Sequence, residues 1–360
     1  MAGRVLITGA AGNLGGLLAA ALAERVVIAR RPAGAPSAPP QEAGGGRASQ
    51  PADNRESLQL NLLIHNKDVP AELRRAPGVR VFRGDLADKA TLRPALEGVD
   101  TVVHFAGVLF RARPEKFLPE TNVGWFDNLL DTALESGVKR VILISFPHVE
   151  GETTPDRPAR GSLLGSPGSA HARTRLEEER HLFARCTAAG GKAEAGEQML
   201  AAVEAVSLRA GMVYGRGILM IDAAQWFARR RLLGVWRKPT WIHLISRDDF
   251  LAATIAAIEK PGISGIYHLG DEGVQTLREF LDAITAHRGN PRPWRMPVWM
   301  IMTAARAFEL FSLATGRRAP LTRDFVRIGM ASYYGDTSRM RAELLPSLRY
   351  RTFREGIDTL

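Results

Sequence analysis

The chain has 360 residues, 45% of them hydrophobic and 24% charged, with a net charge of +10 and a pI near 10.2. That balance belongs to a globular protein with material for one large domain or two interleaved ones, and it excludes a disordered or fibrous chain. A single cysteine, Cys186, excludes an internal disulfide framework, and its place on a predicted helix reads as a structural thiol.

No stretch approaches the ~20 uninterrupted apolar residues of a bilayer span. Residues 4–8 read as a strand where a signal peptide would lie, so the expectation is a cytoplasmic protein without a transmembrane segment. The basic excess is mostly arginine, concentrated once: Arg216, Arg229, Arg230, Arg231, Arg237 and Lys238 share a segment with Trp226, Phe227, Trp236 and Trp241. Such a mixture can stack nucleic-acid bases or sit at a lipid interface. With no nucleic-acid motif beside it, the simpler reading is a solvated helix whose aromatics pack on a neighbouring domain, and no nucleic-acid partner is expected.

Strand-like and helix-like runs alternate through the first half, the pattern of a parallel sheet with crossover helices. Val5-Leu6-Ile7 is the first strand and 14–24 the helix after it. Residues 31–57, rich in Pro, Gly, Ala and Ser, predict a mobile insertion. The second strand has two candidates, 26–29 and 60–65. The first would leave a structureless gap of more than ~40 residues before the strand at 79–82, so loop-length priors select the second. There follow a helix at 89–96, a strand at 101–105, a helix at 125–136 capped by Gly137, a strand at 140–145, a helix at 172–185, a loop at 187–198 and a strand at 203–209. Beyond Arg209 the rhythm changes. Aromatic-rich helices, a strand at 265–269, a helix at 277–287 and two amphipathic helices near 297–314 and 322–330 predict a smaller, mostly helical substrate domain. The division expected is 1–210 for a doubly wound, Rossmann-type α/β domain and 211–360 for the second, partly interleaved with the first.

Thr8-Gly9-Ala10-Ala11-Gly12-Asn13-Leu14-Gly15 lies between a strand and a helix, the context in which a glycine motif has a mechanism. One glycine makes the tight turn, another admits the backbone to a pyrophosphate, and a third lets helix and strand pack closely. The free N–H groups of the helix N-terminus then face the phosphates. Gly9, Ala11, Gly12, Asn13, Leu14 and Gly15 are therefore candidate dinucleotide contacts.

The spacing Gly9-x-x-Gly12-x-x-Gly15 resembles the extended short-chain dehydrogenase/reductases, the NAD-dependent epimerases and dehydratases among them. Other segments agree with it. Gly84-Asp85-Leu86 is similar to the strand-end Asp that contacts adenine, His104-Phe105-Ala106-Gly107 to the loop along the cofactor, and Asn122 to the Asn of the following helix. Residues 207–215, 267–270 and 335–339 are similar to later segments, so the resemblance runs almost the whole chain. It implies that Asp85, Leu86, Phe105, Ala106, Gly107 and Asn122 join the cofactor site, and that a small-molecule hydroxyl or ketone substrate binds beside it. It also implies a homodimer. At the second strand's end, Asn66 and Lys67 stand where a carboxylate would hold the ribose of NAD, and Asp68 comes only afterwards. Either candidate strand, the earlier followed by Arg30 and Arg31, favours NADP over NAD.

Catalysis in these enzymes needs a Tyr, a Lys four residues later and a Ser or Thr. Here His171-Ala172-Arg173-Thr174-Arg175 stands at Tyr-x-x-x-Lys, and the Ser position falls on Phe146, beside Ser145. Histidine can move protons near neutrality. At i and i+4, His171 and Arg175 share a helix face, where the fixed cation favours neutral imidazole. His171, Arg175 and Ser145 are thus the candidate catalytic residues, with Ser169 and His148 as helpers. Two functions remain open: an NAD(P)-dependent oxidoreductase or epimerase with an altered motif, and a catalytically silent dinucleotide-binding redox sensor. A sugar diphosphate would call on Arg209, Arg216 or Arg247, and residues 226–241 would line an apolar pocket. Glu177-Glu178-Glu179 reads as a solvated helix face. The remaining histidines lack metal-ligand spacing, and no metal is expected.

Overall fold

The computed structural model describes residues 3–29, 58–107, 112–189, 203–316, 319 and 321–360. The predicted insertion at 31–57 and nearly all of the loop at 187–198 lie outside them. In chain order the strands are β1 (Arg4–Thr8), β2 (Gln59–Ile64), β3 (Val79–Arg83), β4 (Thr101–His104), β5 (Arg140–Ser145), β6 (Glu204–Ala210), β7 (Met212–Tyr214), β8 (Gly234–Trp236), β9 (Trp241–Ile242), β10 (Leu244–Ser246), β11 (Gly265–Leu269), β12 (Gln275–Thr276) and β13 (Trp294–Met296). The helices are α1 (Asn13–Ala29), α2 (Ala71–Arg75), α3 (Lys89–Leu96), α4 (Trp125–Glu135), α5 (Ala170–Ala189), α6 (Leu219–Arg229), α7 (Arg247–Glu259), α8 (Leu277–His287), α9 (Val298–Thr315), α10 (Arg323–Met330) and α11 (Phe353–Gly356).

Seven strands form one parallel sheet in the order β3-β2-β1-β4-β5-β6-β11. Successive side chains of each strand point to opposite faces, and both faces are apolar because helices cover both. Val5 and Ile7 of β1, Val103 of β4 and Ile142 of β5 pack with Leu18 and Leu22 of α1 and Phe250 and Ala253 of α7. Leu6, Val102, Val141 and Leu143 enter the opposite core with Leu92 of α3, Phe126 of α4 and Leu182 of α5. The strand order reverses between β1 and β4, where open α/β sheets bind ligands beyond the strands' C-terminal ends. The small paired strands β7–β10, β9–β12 and β8–β13 lie outside this sheet, within the second half of the chain.

The second strand is Gln59–Ile64, the later candidate. Residues 26–29 continue α1, five residues past its expected end at 24. β11 lies far along the sequence but closes the edge of the first sheet, so the two halves are interleaved. The stretch near 297–314 forms a helix as expected, with an unusual distribution of polarity. α9 is 18 residues long, apolar enough by length and composition to cross a bilayer, and only 11% buried. Val298 and Ile301 pack against the core and its acidic residue, Glu309, is buried, whereas Trp299, Met300, Phe308, Leu310, Phe311 and Leu313 are exposed.

Candidate functional site

At the end of β1 the chain turns through Gly9 at φ +71°, and Gly12 N–H donates to Gly9 O at 2.8 Å. A Cβ at Gly9 would stand 3.0 Å from Ala106 N, and one at Gly15 would stand 2.5 Å from Gly9 O. Side chains are therefore excluded where the first turn meets both α1 and the 105–107 loop. α1 then opens with no acidic residue in its first turn, leaving its N-terminal dipole unopposed. Asn13 fastens this loop to the second half: its Nδ2 donates to Gly217 O at 2.6 Å and its Oδ1 accepts from Leu219 N at 3.2 Å. Ala11 and Leu14 pack against the core beneath.

Across the switch point, β4 ends at His104, paired with Thr8 in register. Its Nδ1 lies 2.8 Å from Thr8 Oγ1, and burial, reinforced by the Arg175 charge, drops its pKa to about 3. The imidazole is a neutral strut between β1 and β4. Phe105, Ala106 and Gly107 follow, with Phe105 edge-on to Phe250 at 6.4 Å. Asp85 turns its carboxylate to Ala87 N at 3.0 Å, and Leu86 O accepts from Asn128 Nδ2 at 3.0 Å, which fixes the β3 end. Beyond β2, Asn66 and Lys67 are exposed. The nearby carboxylate of Asp68 is held by Arg74 and by Val69 N–H, and that of Asp85, at the end of β3, lies 3.6 Å from His65 Nε2. Asn122 is buried and donates to Thr174 Oγ1 at 3.0 Å, joining the segment before α4 to α5. Its Oδ1 has no partner.

The cofactor site implied by the sequence fits these residues: three glycines at which a Cβ would collide with backbone, a helix terminus without an acidic residue and a strand switch point meet at one edge of the sheet.

α5 carries the candidate catalytic residues. Ser169 Oγ accepts from Ala172 N at 3.1 Å and Asp324 Oδ1 from Ala170 N at 3.1 Å, capping the helix. Ser169 thus caps α5. His171 lies in the first turn, buried, its ring edge-on to Phe146 at 4.9 Å. Burial first, then the Arg175 charge, takes its pKa down to about 3, and Nδ1 has no hydrogen-bond partner. His148 stacks obliquely on Phe146 at 5.0 Å and, through burial, is held at about 4. Arg175 donates to Glu178 Oε2 at 2.6 Å and to Ala106 O at 3.0 Å, so its guanidinium lies against the 105–107 loop.

Ser145 is buried. It donates its hydroxyl to Glu179, which also accepts from Ser207 Oγ at 2.8 Å and from Arg209 Nε at 3.0 Å. Arg209 is 0% exposed and further paired with Glu150. Burial opposes the charge on Glu150, but bonds from His268, Arg209 and the Gly161 N–H outweigh it and hold the carboxyl at about 2. This overturns two expectations. Glu177 is exposed, but Glu178 and Glu179 are both 0% exposed rather than a solvated face: Glu178 pairs with Arg175 of the same helix, and Glu179 meets Arg209 of β6. Arg209 is committed to that network and not free for a diphosphate. Burial raises Glu178 to about 7 against the pull of Arg175, and its Oε1 lacks a partner. The sequence held one sign of this network, acids at i+3 and i+4 from Arg175: Glu178 pairs with Arg175 itself, whereas the partners of Glu179 lie on β5 and β6, distant in sequence. No cluster of metal-binding side chains occurs among the described residues.

Residues 43–177 match the NAD(P)H-binding family. An uncharacterized protein, y4nL, of Sinorhizobium fredii is 26% identical over 316 residues, covering 81% of this chain and 76% of its own length. Among solved structures, UDP-glucose 4-epimerase from Thermotoga maritima, with UDP-glucose, superposes with a TM-score of 0.68 at 15% identity over 99% of this chain and 96% of its own. The dTDP-glucose 4,6-dehydratase DesIV from Streptomyces venezuelae, with NAD and TYD bound, gives 0.68 at 18% identity over 99% and 95%. The fold is the one found in these epimerase and dehydratase structures.

Proposed function

We propose, from the premise of an NAD(P)H-binding chain with the extended short-chain dehydrogenase/reductase fold, that it is an oxidoreductase or epimerase acting on a hydroxyl or ketone substrate, with His171 as proton carrier. The observation that carries this reading is the buried imidazole of His171, its pKa lowered and its Nδ1 without a partner among the described residues; the sequence resemblance aligns this residue with a proton-transferring tyrosine. A bound nicotinamide supplies the hydride chemistry. His171 takes the substrate hydroxyl proton on Nδ1, Phe146 holds the ring edge-on, and Arg175 keeps the resting imidazole neutral while steadying the 105–107 loop through Ala106 O. The exposed Lys67 and Asn66, with Asp68 occupied by Arg74, favour NADP over NAD.

A second reading has its own observation. Ser145 and Arg175 are both engaged by buried carboxylates, and a base held near pKa 3 is weak, as a dinucleotide-binding sensor without turnover would tolerate. Oxidation of NADPH with a panel of ketones, and reduction of NADP with the corresponding alcohols, separates the two. The enzyme reading expects turnover that His171→Ala lowers at least ~100-fold with unchanged cofactor affinity. Tight cofactor binding without turnover on any member of the panel, or turnover indifferent to that substitution, supports the sensor.

A further inference from the structure

We propose that the outward face of α9, with the arginine-rich segment around the end of α6, docks the protein in-plane on an anionic phospholipid membrane. α9 inverts the usual polarity of a surface helix. Its buried residues are Ala305 and Glu309, while Trp299 is 68% exposed, Leu310 60% and Phe311 53%, with Met300, Phe308 and Leu313 also open. An apolar area of this extent on a folded surface marks an interaction site rather than ordinary exposure. The single charge on the open side of α9 is Arg306; no carboxylate lies there.

The patch continues beyond the helix. β13 pairs with β8, and Trp294, 60% exposed, donates its indole N–H to Arg231 O at 2.8 Å. This bond ties the start of α9 to the end of α6, where Leu232 and Trp226 are exposed and Arg230 stacks over the Trp226 ring at 3.8 Å. Arg229, Arg230, Arg231, Arg237, Lys238 and Arg292 are exposed there, and none has an ion-pair partner among the described residues. Unpaired cations beside tryptophans and an apolar face are the composition that anionic headgroups and the acyl boundary beneath them attract. Charge complementarity thus selects an anionic lipid surface over a second copy of this chain, which would bring one cationic rim against another.

The same geometry favours lying on the membrane over spanning it. On the inner side of α9, Glu309 accepts from Arg323 N at 2.7 Å and Nε at 2.8 Å, and the helix packs on α10. A spanning orientation would carry that ion pair into hydrocarbon and tear β13 from β8. In-plane burial by ~5–10 Å leaves both intact. α10 also holds Asp324, the cap of α5, so the docking face lies one helix away from His171.

Flotation of the purified full chain with vesicles tests this. With phosphatidylcholine vesicles containing phosphatidylglycerol the protein is expected to float, with blue-shifted tryptophan emission. Binding should drop at least fivefold on pure phosphatidylcholine, in high salt, in Trp299→Ser/Phe311→Ser, and in Arg229→Glu/Arg231→Glu, all with unchanged circular dichroism and NADPH affinity. Carbonate at high pH should release the bound protein. Absence of vesicle binding by folded, NADPH-binding protein overturns the proposal. So does a dimer in light scattering that Phe311→Ser dissociates, or resistance to carbonate, which would mean a span.

Discussion

His171 is held neutral by burial and by the Arg175 charge, far below the ordinary histidine range near ~6.5. Protonation of the folded protein at this ring therefore begins only well into acid, and the population of the base form does not change across neutral pH. If His171 carries the proton, kcat/KM between about pH 5.5 and 8 should show no acid limb from this group, in contrast to an unperturbed histidine with its half-point near ~6.5. A pH profile that His171→Ala changes and that bends near 6.5 would contradict the burial seen here. This residue was legible in the sequence as an imidazole four positions before a cation. What was not legible was Phe146 edge-on to it, since contact between β5 and α5 depends on the sheet.

At the scale of the element, α5 is the piece on which the site depends. Its N-terminus is capped by Ser169 and Asp324, its first turns bear His171 and Arg175, and its middle places Glu178 and Glu179 in the core. Glu179 is compensated by Arg209, with Ser145 and Ser207 satisfying the remaining acceptor capacity. Removing one partner of such a buried pair leaves an unpaired charge, which costs far more than the pair contributes. Arg209→Met is expected to lower stability by ~3–5 kcal/mol, and Arg209→Met with Glu179→Gln to recover a substantial part of it. Urea denaturation of the two variants checks this; equal losses in both would mean that the carboxylate is not the cause. Helical periodicity shows where α5 lies, and it misled at 177–179 because a run of three glutamates looks solvated. The arginine that buries Glu179 sits thirty positions later on β6, a pairing no local pattern contains.

At the scale of the whole molecule, the sheet was readable because its buried strands are continuous apolar runs and its helices are not. Choosing β2 at Gln59–Ile64 needed only loop-length reasoning, and the parallel β1–β2 pairing agrees. The inverted face of α9 was not readable. Its sequence has the length and hydrophobicity of a core helix, and only the packing reveals that Glu309 is inside and the aromatics outside. The glycine cradle was the clearest signal because its reason is local: Gly9 at positive φ, and Gly15 against Gly9 O, leave no room for a side chain. Everything proposed about proton transfer rests on that cradle holding a dinucleotide at the sheet's switch point. Fluorescence titration of the folded full chain with NADPH and NADH tests it most directly. The account predicts saturable binding, tighter for NADPH, that Gly12→Val reduces at least ~100-fold without unfolding the protein. Folded wild-type protein that leaves both nucleotides unbound at millimolar concentration would contradict it.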